Sequence, residues 1–168
     1  MVERKSPSDA EIEAVATHFR AALDRIDRKL WAHIHINNFP RGACGHCAEL
    51  SARHLHDRFG IVADYVSYNL NRGYGTLEDG HAWLEYNGLL IDISGDQFGW
   101  PAVIVTRTPG PVYSQGRLNI RYPWRLDPQW WSGQCSAIWH AAQAHLPTAG
   151  AIQTQRGEYP WAGHSFDR

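Results

Sequence analysis

The sequence lacks the features of a membrane-spanning or secreted protein. No apolar run approaches the roughly 18 residues that a spanning helix needs, so we expect no membrane partner. Residues 1–30 carry charges throughout and hold no apolar stretch of the kind found in signal peptides. We therefore expect a cytoplasmic protein, with export by a non-classical route left open.

The chain also lacks an excess of charge of either sign. Its 16 Lys and Arg residues face 17 Asp and Glu residues, so the net charge is -1. A protein without a strong positive field has no general attraction for nucleic acid, and we expect no nucleic-acid partner. Hydrophobic residues make up 43% of the 168 residues, without an internal repeat or an interdomain linker. This composition predicts a single domain over residues 1–168.

Cysteine is scarce, with three residues. Cys44 and Cys47 are only three positions apart, and an odd count does not suit the disulfide framework of a small secreted domain. Reduced thiols are therefore expected.

Helical periodicity is clearest in the first third of the chain. Ser8 and Glu11 form a capping-box pattern, and the apolar residues that follow predict an N-terminal helix over about residues 8–30. A second helix is predicted to begin at Cys44 and to end at Gly60, since glycine commonly terminates a helix.

The remaining chain reads as a strand-rich core followed by a Trp-rich C-terminal part. The core, which holds the candidate catalytic residues, covers about residues 39–106. The C-terminal part covers about residues 107–168. Within the latter, a helix is predicted from Pro128 to about Leu146. Strands are predicted over residues 61–70, 81–86, 89–93, 102–106 and 118–122.

Asn87-Gly88 is the strongest signal for a β-hairpin, because both residue types tolerate the positive φ of a two-residue turn. Such a turn fixes the register, pairing Tyr86 with Leu89, Leu84 with Ile91, and Ala82 with Ile93. These six residues form an apolar face that is expected to pack on the helices. The opposite face, with His81, Trp83 and Asp92, is predicted to be polar and to meet the start of the Cys44 helix.

His81 and Asp92 are diagonal neighbours on that second face. We predict that an imidazole nitrogen of His81 lies within roughly 3.5 Å of an Asp92 oxygen, directly or through one water. Asp92 interrupts an apolar strand, where an unpaired carboxylate would be costly, so a partner is expected. The pair can act as an oriented base.

Cys44 is the candidate nucleophile, because the N-terminus of a helix favours a thiolate over a thiol. His81 would hold the thiolate and later protonate a leaving amine. The N–H of Cys44, with the side-chain amide of Asn38 as first candidate and Asn37 as second, is predicted to form an oxyanion hole. Trp83 is expected to line the site.

The sequence resembles the transglutaminase-like branch of the papain-like cysteine hydrolases over about residues 39–98. The matching motifs are a Gly-Ala-Cys-Gly that opens a helix, a His-Ala-Trp that opens a strand, and an Ile-Asp on the next strand. The resemblance implies an α+β, papain-like fold, in which a Cys-bearing helix packs on an antiparallel sheet. It also implies that Cys44 is the nucleophile, His81 the base and Asp92 the orienting acid.

The same resemblance implies a reaction through a thioester on a peptide or protein substrate, without a cofactor or metal. Proteolysis, deamidation and acyl transfer all occur in that superfamily, and the oligomeric state is left open.

Three alternatives compete with this interpretation. Cys44-Gly-His-Cys47 is also the active-site pattern of protein disulfide isomerases, although no apolar strand runs into it. The same two cysteines with His33, His35 or His46 offer enough ligands for zinc, but a second ligand pair at finger-like spacing is missing. A non-catalytic binding module is the third, and a basic aromatic cluster would suit such a role: Arg117, Arg121, Tyr122, Trp124 and Arg125.

Overall fold

The protein is an α+β domain in which helices pack on one antiparallel sheet. The structure is a computed structural model that describes residues 6–70, 79–114 and 116–147. The helices are α1 (Asp9–Asp24), α2 (Arg28–His33), α3 (Cys44–Phe59), α4 (Pro128–Gln134) and α5 (Ser136–Gln143). The strands are β1 (Asp64–Leu70), β2 (Asp79–Tyr86), β3 (Leu89–Asp92), β4 (Ile104–Thr106) and β5 (Arg117–Pro123). Short 3₁₀ turns cover Gly95–Phe98 and Pro111–Tyr113.

The predicted N-terminal helix is two helices. The capping box is confirmed, since the Glu11 N–H donates to the Ser8 hydroxyl and the Ser8 N–H donates to the Glu11 carboxylate. The prediction of one continuous helix over about residues 8–30 is wrong. Asp27 interrupts it, because its carboxylate accepts a hydrogen bond from the Lys29 N–H and caps a new helix, α2.

The sheet has the strand order β4-β3-β2-β1-β5, and every neighbouring pair is antiparallel. The predicted hairpin between β2 and β3 is confirmed, with Asn87 at φ 48° and Gly88 at φ 77°. Its register is also as predicted, since Tyr86 pairs with Leu89 and Leu84 with Ile91. The strands predicted over 61–70 and 102–106 begin later, at Asp64 and Ile104.

Both faces of the sheet carry a hydrophobic cluster, although the edge strand β5 is largely exposed. The face that carries Ala82, Leu84 and Ile91 packs against α1 and α3 in the main core, as predicted, and α5 packs on α1. The opposite face was predicted to be polar, and that is wrong for most of it. There, a smaller hydrophobic cluster is formed by Val66, Trp83, Leu90 and Tyr113. His81 and Asp92 are buried at the end of this cluster.

The predicted C-terminal helix is also divided in two. The Asp127 carboxylate caps α4 by accepting from the N–H groups of Gln129 and Trp130, as expected for a helix that begins at Pro128. The helix is interrupted at Cys135, where α4 ends and α5 begins. The predicted loop over residues 71–78 and the tail from Thr148 lie outside the described residues.

None of the helices in the three described ranges combines the length and the apolar character that crossing a membrane requires.

Candidate active site

His81 and Asp92 form a hydrogen-bonded pair in the interior. The Nε2 atom of His81 lies 2.7 Å from Oδ2 of Asp92, and both side chains are 0% exposed. The predicted contact is therefore confirmed. The hairpin produces it directly, because the two-residue turn places both side chains on the same face of β2 and β3.

Asp92 accepts further hydrogen bonds. The Ser94 N–H donates to Oδ1 at 2.8 Å, and the Ser94 hydroxyl lies 3.3 Å from the same oxygen. The Tyr113 hydroxyl donates to Oδ2 at 2.8 Å. A buried carboxyl group with this many donors is held in a fixed orientation, so it can fix the orientation and tautomer of the His81 ring.

Aromatic rings enclose the imidazole. The ring centroids of Trp83, Phe98, Trp100 and Tyr113 lie 5.6, 4.9, 5.8 and 6.3 Å from that of His81. Trp83 was expected to line the site, but it is 1% exposed and its indole N–H donates to Glu85. It therefore packs behind His81 instead of facing a cleft.

Cys44 is the first residue of α3 and is half-buried. Its thiol lies near the side chains of His81 and Gln97 and the backbone of Ala82, and each of these lowers the pKa of the thiol. The N-terminus of α3 has no side-chain cap, and the first helical hydrogen bond runs from the Cys47 N–H to the Ala43 carbonyl. The backbone N–H groups of the first turn at Cys44 are consequently left for other acceptors.

The electrostatics at this point favour a thiolate and an imidazolium. Burial raises the pKa of Cys44, but the hydrogen bond and charge of His81, with the bonds from Gln97 and Ala82, lower the pKa below its ordinary value. Burial lowers the pKa of His81, but Asp92 and then Cys44 outweigh it and raise the pKa to about 9. Both shifts act in the same sense, since each favours the thiolate with an imidazolium over the thiol with a neutral imidazole.

Gln97 is a site residue that the sequence did not single out as functional. Its Nε2 lies 2.8 Å from Nδ1 of His81 and donates to that nitrogen when the imidazole is neutral, and the same side chain lowers the pKa of the Cys44 thiol. The 3₁₀ turn that carries it is fixed by the buried Arg20, whose guanidinium donates to both oxygens of Asp96 at 2.8 and 2.7 Å. Gly95 is required at the start of this turn, since a Cβ there would lie 2.6 Å from the Pro101 carbonyl.

The structure does not bring the predicted amide donors to the thiol. Asn37 and Asn38 are exposed, and Asn38 lines a shallow depression together with Arg41 and Asp96. The side-chain amide next to Cys44 is that of Gln97. No pattern in the sequence predicts that Gln97 lies near Cys44. Its position depends on an ion pair between Arg20 in α1 and Asp96, which are 76 residues apart in the chain.

A cavity of about 570 Å³ lies beside Cys44, on the side of its neighbours Gly42 and Gly45. Its walls include Tyr65, Tyr122 and Trp130. Two members of the basic aromatic cluster, Tyr122 and Arg125, line this cavity, and Arg121 instead makes ion pairs with Glu85 and Asp64.

The other two thiols are poorly placed for chemistry. Cys47 and Cys135 are buried and free, and burial raises the pKa of each. A redox role for Cys44 with Cys47 gains no support from a second thiol so far from ionisation. For zinc, His33 and His35 are exposed, and within the described ranges no three His, Cys, Asp or Glu side chains are grouped to hold a metal.

An activated thiol, an oriented imidazole and unpaired amides together provide what attack on an acyl carbon requires. We compared the chain with models of protein families, with curated protein sequences and with solved structures, and none of the three comparisons gives a match. What the arrangement can do therefore follows from its chemistry.

Proposed function

We propose that the protein is a cysteine-dependent hydrolase or acyltransferase, which acts on a peptide or amide bond through a thioester on Cys44. The observation that carries this proposal is the buried hydrogen bond between His81 and Asp92, with Cys44 near enough to His81 for each of the two to shift the pKa of the other toward the charged form. We further propose that the Cys-bearing helix on the antiparallel sheet is a papain-like core of the transglutaminase-like kind, and that the substrate is a peptide or protein.

The chemistry runs in two steps. The Cys44 thiolate attacks the carbonyl carbon, and the carbonyl oxygen becomes an anion. We assign its binding to the backbone N–H of Cys44 and to the NH₂ group of Gln97, which no longer donates to Nδ1 of His81 once that nitrogen is protonated. His81 gives its Nδ1 proton to the leaving amine, and a thioester remains on Cys44. Water or a second amine then attacks the thioester while His81 accepts its proton, and the thiolate is released.

The direct test is to trap the thioester with a small activated ester, p-nitrophenyl acetate. Cys44 is expected to gain the mass of one acetyl group within minutes near neutral pH, because its thiolate needs no external base. Intact-mass spectrometry measures the added mass, and peptide mapping shows which cysteine carries the acetyl group. The matched control is Cys47→Ala, which should acylate normally, since Cys47 is buried. Acetylation spread over the three cysteines, or an unchanged yield in Cys44→Ala, would contradict the proposal.

A second prediction separates Gln97 from Asn38 as the donor to the oxyanion. Gln97→Met keeps the side-chain length and removes the amide, so we expect acetyl transfer to Cys44 to slow by about a hundredfold. Asn38→Ala, in the exposed loop, is expected to change the rate less than about twofold. Stopped-flow release of p-nitrophenolate gives both rates. The opposite order of effects would return the role to Asn38.

A further inference from the structure

The cavity beside Cys44 carries a chemical bias that the reaction at the thiol does not require. Glu49 lies in it, one turn into α3, and is half-buried. The Tyr122 hydroxyl and the Trp124 indole N–H each donate to one of its oxygens, both at 2.7 Å. A carboxylate has about four acceptor positions, so two remain for a ligand.

The walls of the cavity are aromatic. Tyr65 stacks on Tyr122 with ring centroids 5.0 Å apart, and Trp130 lies against His46 with centroids 5.3 Å apart. Burial lowers the pKa of His46, so it adds no positive charge near neutral pH. Aromatic faces beside a carboxylate attract a cation, and they attract it more strongly where water is partly excluded.

The charged residues that line the cavity also favour a cation. Glu49 and Asp127 are acidic, and Arg125 is the basic residue among those that line the cavity, standing exposed at its rim. Asp127 uses one carboxylate oxygen to cap α4, and Oδ2 is not part of that cap.

The distance along the helix fits a substrate that occupies both places. Glu49 follows Cys44 by five residues, which is about 7.5 Å along the helix axis and about 140° around it. Gly45 lies between the two on the helix surface and lines the cavity without a side chain, and the Tyr65 hydroxyl lies 3.2 Å from where its Cβ would stand. A substrate with an aliphatic stem would cross Gly45 to reach from an acyl carbon at Cys44 to the carboxylate.

We propose that this cavity is a specificity subsite for a positively charged group of the substrate, an ammonium or guanidinium, next to the bond that Cys44 attacks. The inference rests on the proposed function of Cys44 as the nucleophile. It adds a substrate class: basic peptides or amides of diamine-like compounds, with the charged end against Glu49 and the aromatic walls.

Size-matched thiol reagents of different charge test the subsite without a known substrate. The probes are the 2-aminoethyl, 2-hydroxyethyl and 2-sulfonatoethyl methanethiosulfonates, which are cationic, neutral and anionic. The thiolate attacks the sulfenyl sulfur, a disulfide forms and methanesulfinate leaves. Dividing the cationic by the anionic rate gives a selectivity ratio for Cys44.

Glu49→Gln is expected to lower that ratio about tenfold, with the neutral rate changed less than about twofold. The matched control is Glu13→Gln on the exposed face of α1, which removes the same charge elsewhere and should leave the ratio unchanged. Because Gln cannot accept from both Tyr122 and Trp124, Trp130→Ala provides a second variant. Trp130 is 36% exposed and lies outside the main core, and the ratio is expected to fall several-fold on its loss.

The outcomes separate the two proposals. If Cys44 reacts with the neutral reagent only at the pH of an ordinary thiol, the proposed function fails. If that reaction is activated but Glu49→Gln and Trp130→Ala both keep the wild-type ratio, the function stands and the cationic subsite is wrong. A higher ratio in either variant would also overturn the subsite.

Discussion

Replacing His81 with glutamine is expected to slow alkylation of Cys44 by iodoacetamide about a hundredfold at about pH 6. In the wild type, His81 lowers the pKa of Cys44, so a larger fraction of this thiol is ionised at that pH than of an ordinary thiol. Without the imidazole, burial is left as the dominant influence and the pKa of Cys44 rises. A thiol with a pKa near 8.5 is ionised only about once in 300 molecules at this pH. Glutamine is chosen because its amide still donates to Asp92.

The alkylation rate of Cys44 should depend on pH differently in the wild type and in His81→Gln. The wild-type rate is expected to fall only as the pH drops through the lowered pKa of Cys44, and therefore at a lower pH than the rate of an ordinary thiol. The variant should lose rate from a higher pH downward. Cys47 and Cys135 serve as internal references, because burial raises their pKa values. Equal labelling of the three cysteines at low pH would contradict the role given to His81.

The hairpin was predictable from the sequence because residues that are close together in the chain determine it. Asn87-Gly88 selects a two-residue turn, and strict alternation of apolar residues selects the register. The contact between His81 and Asp92 follows from that register alone. The start of α3 at Cys44 and its end at Gly60 were equally local, since Gly60 takes φ 73° there.

The remaining features depend on contacts between distant segments, which spacing does not encode. Gln97 reaches the thiol because Arg20 holds its turn from α1. The second hydrophobic cluster exists because the 3₁₀ turn that ends at Tyr113 folds over the sheet. The carboxylate of Glu49 is anchored by two side chains from the segment around β5, at Tyr122 and Trp124. In the sequence, these residues show no common period or motif.

Asp92→Asn is expected to abolish most of the reactivity while the protein still folds. If Oδ1 of the new amide keeps the Ser94 N–H, its NH₂ group faces Nε2 of His81. That nitrogen then becomes an acceptor, and the ring proton moves to Nδ1. A neutral ring with Nδ1–H cannot accept the proton of Cys44, so acetyl transfer should fall by about a hundredfold or more.

The same change is expected to cost about 1 to 3 kcal/mol in the free energy of unfolding, because the Tyr113 hydroxyl loses an anionic acceptor. The cost depends on pH. The raised pKa of His81, about 9, means that its interaction with Asp92 stabilises the fold fully below the ordinary pKa of histidine and is lost as the pH rises through 9. The difference between wild type and variant in urea unfolding should therefore shrink between about pH 6 and pH 9.

Tyr113→Phe is the matched control for Asp92→Asn, since it removes one hydrogen bond to the same oxygen and keeps the charge. It is expected to cost about 1 kcal/mol and to slow acetyl transfer less than about threefold. If instead it inactivates the protein as fully as Asp92→Asn does, the hydroxyl itself takes part in the reaction. An Asp92→Asn variant with wild-type acetyl transfer would show that His81 needs no anion behind it, and the three residues would then not work as one unit.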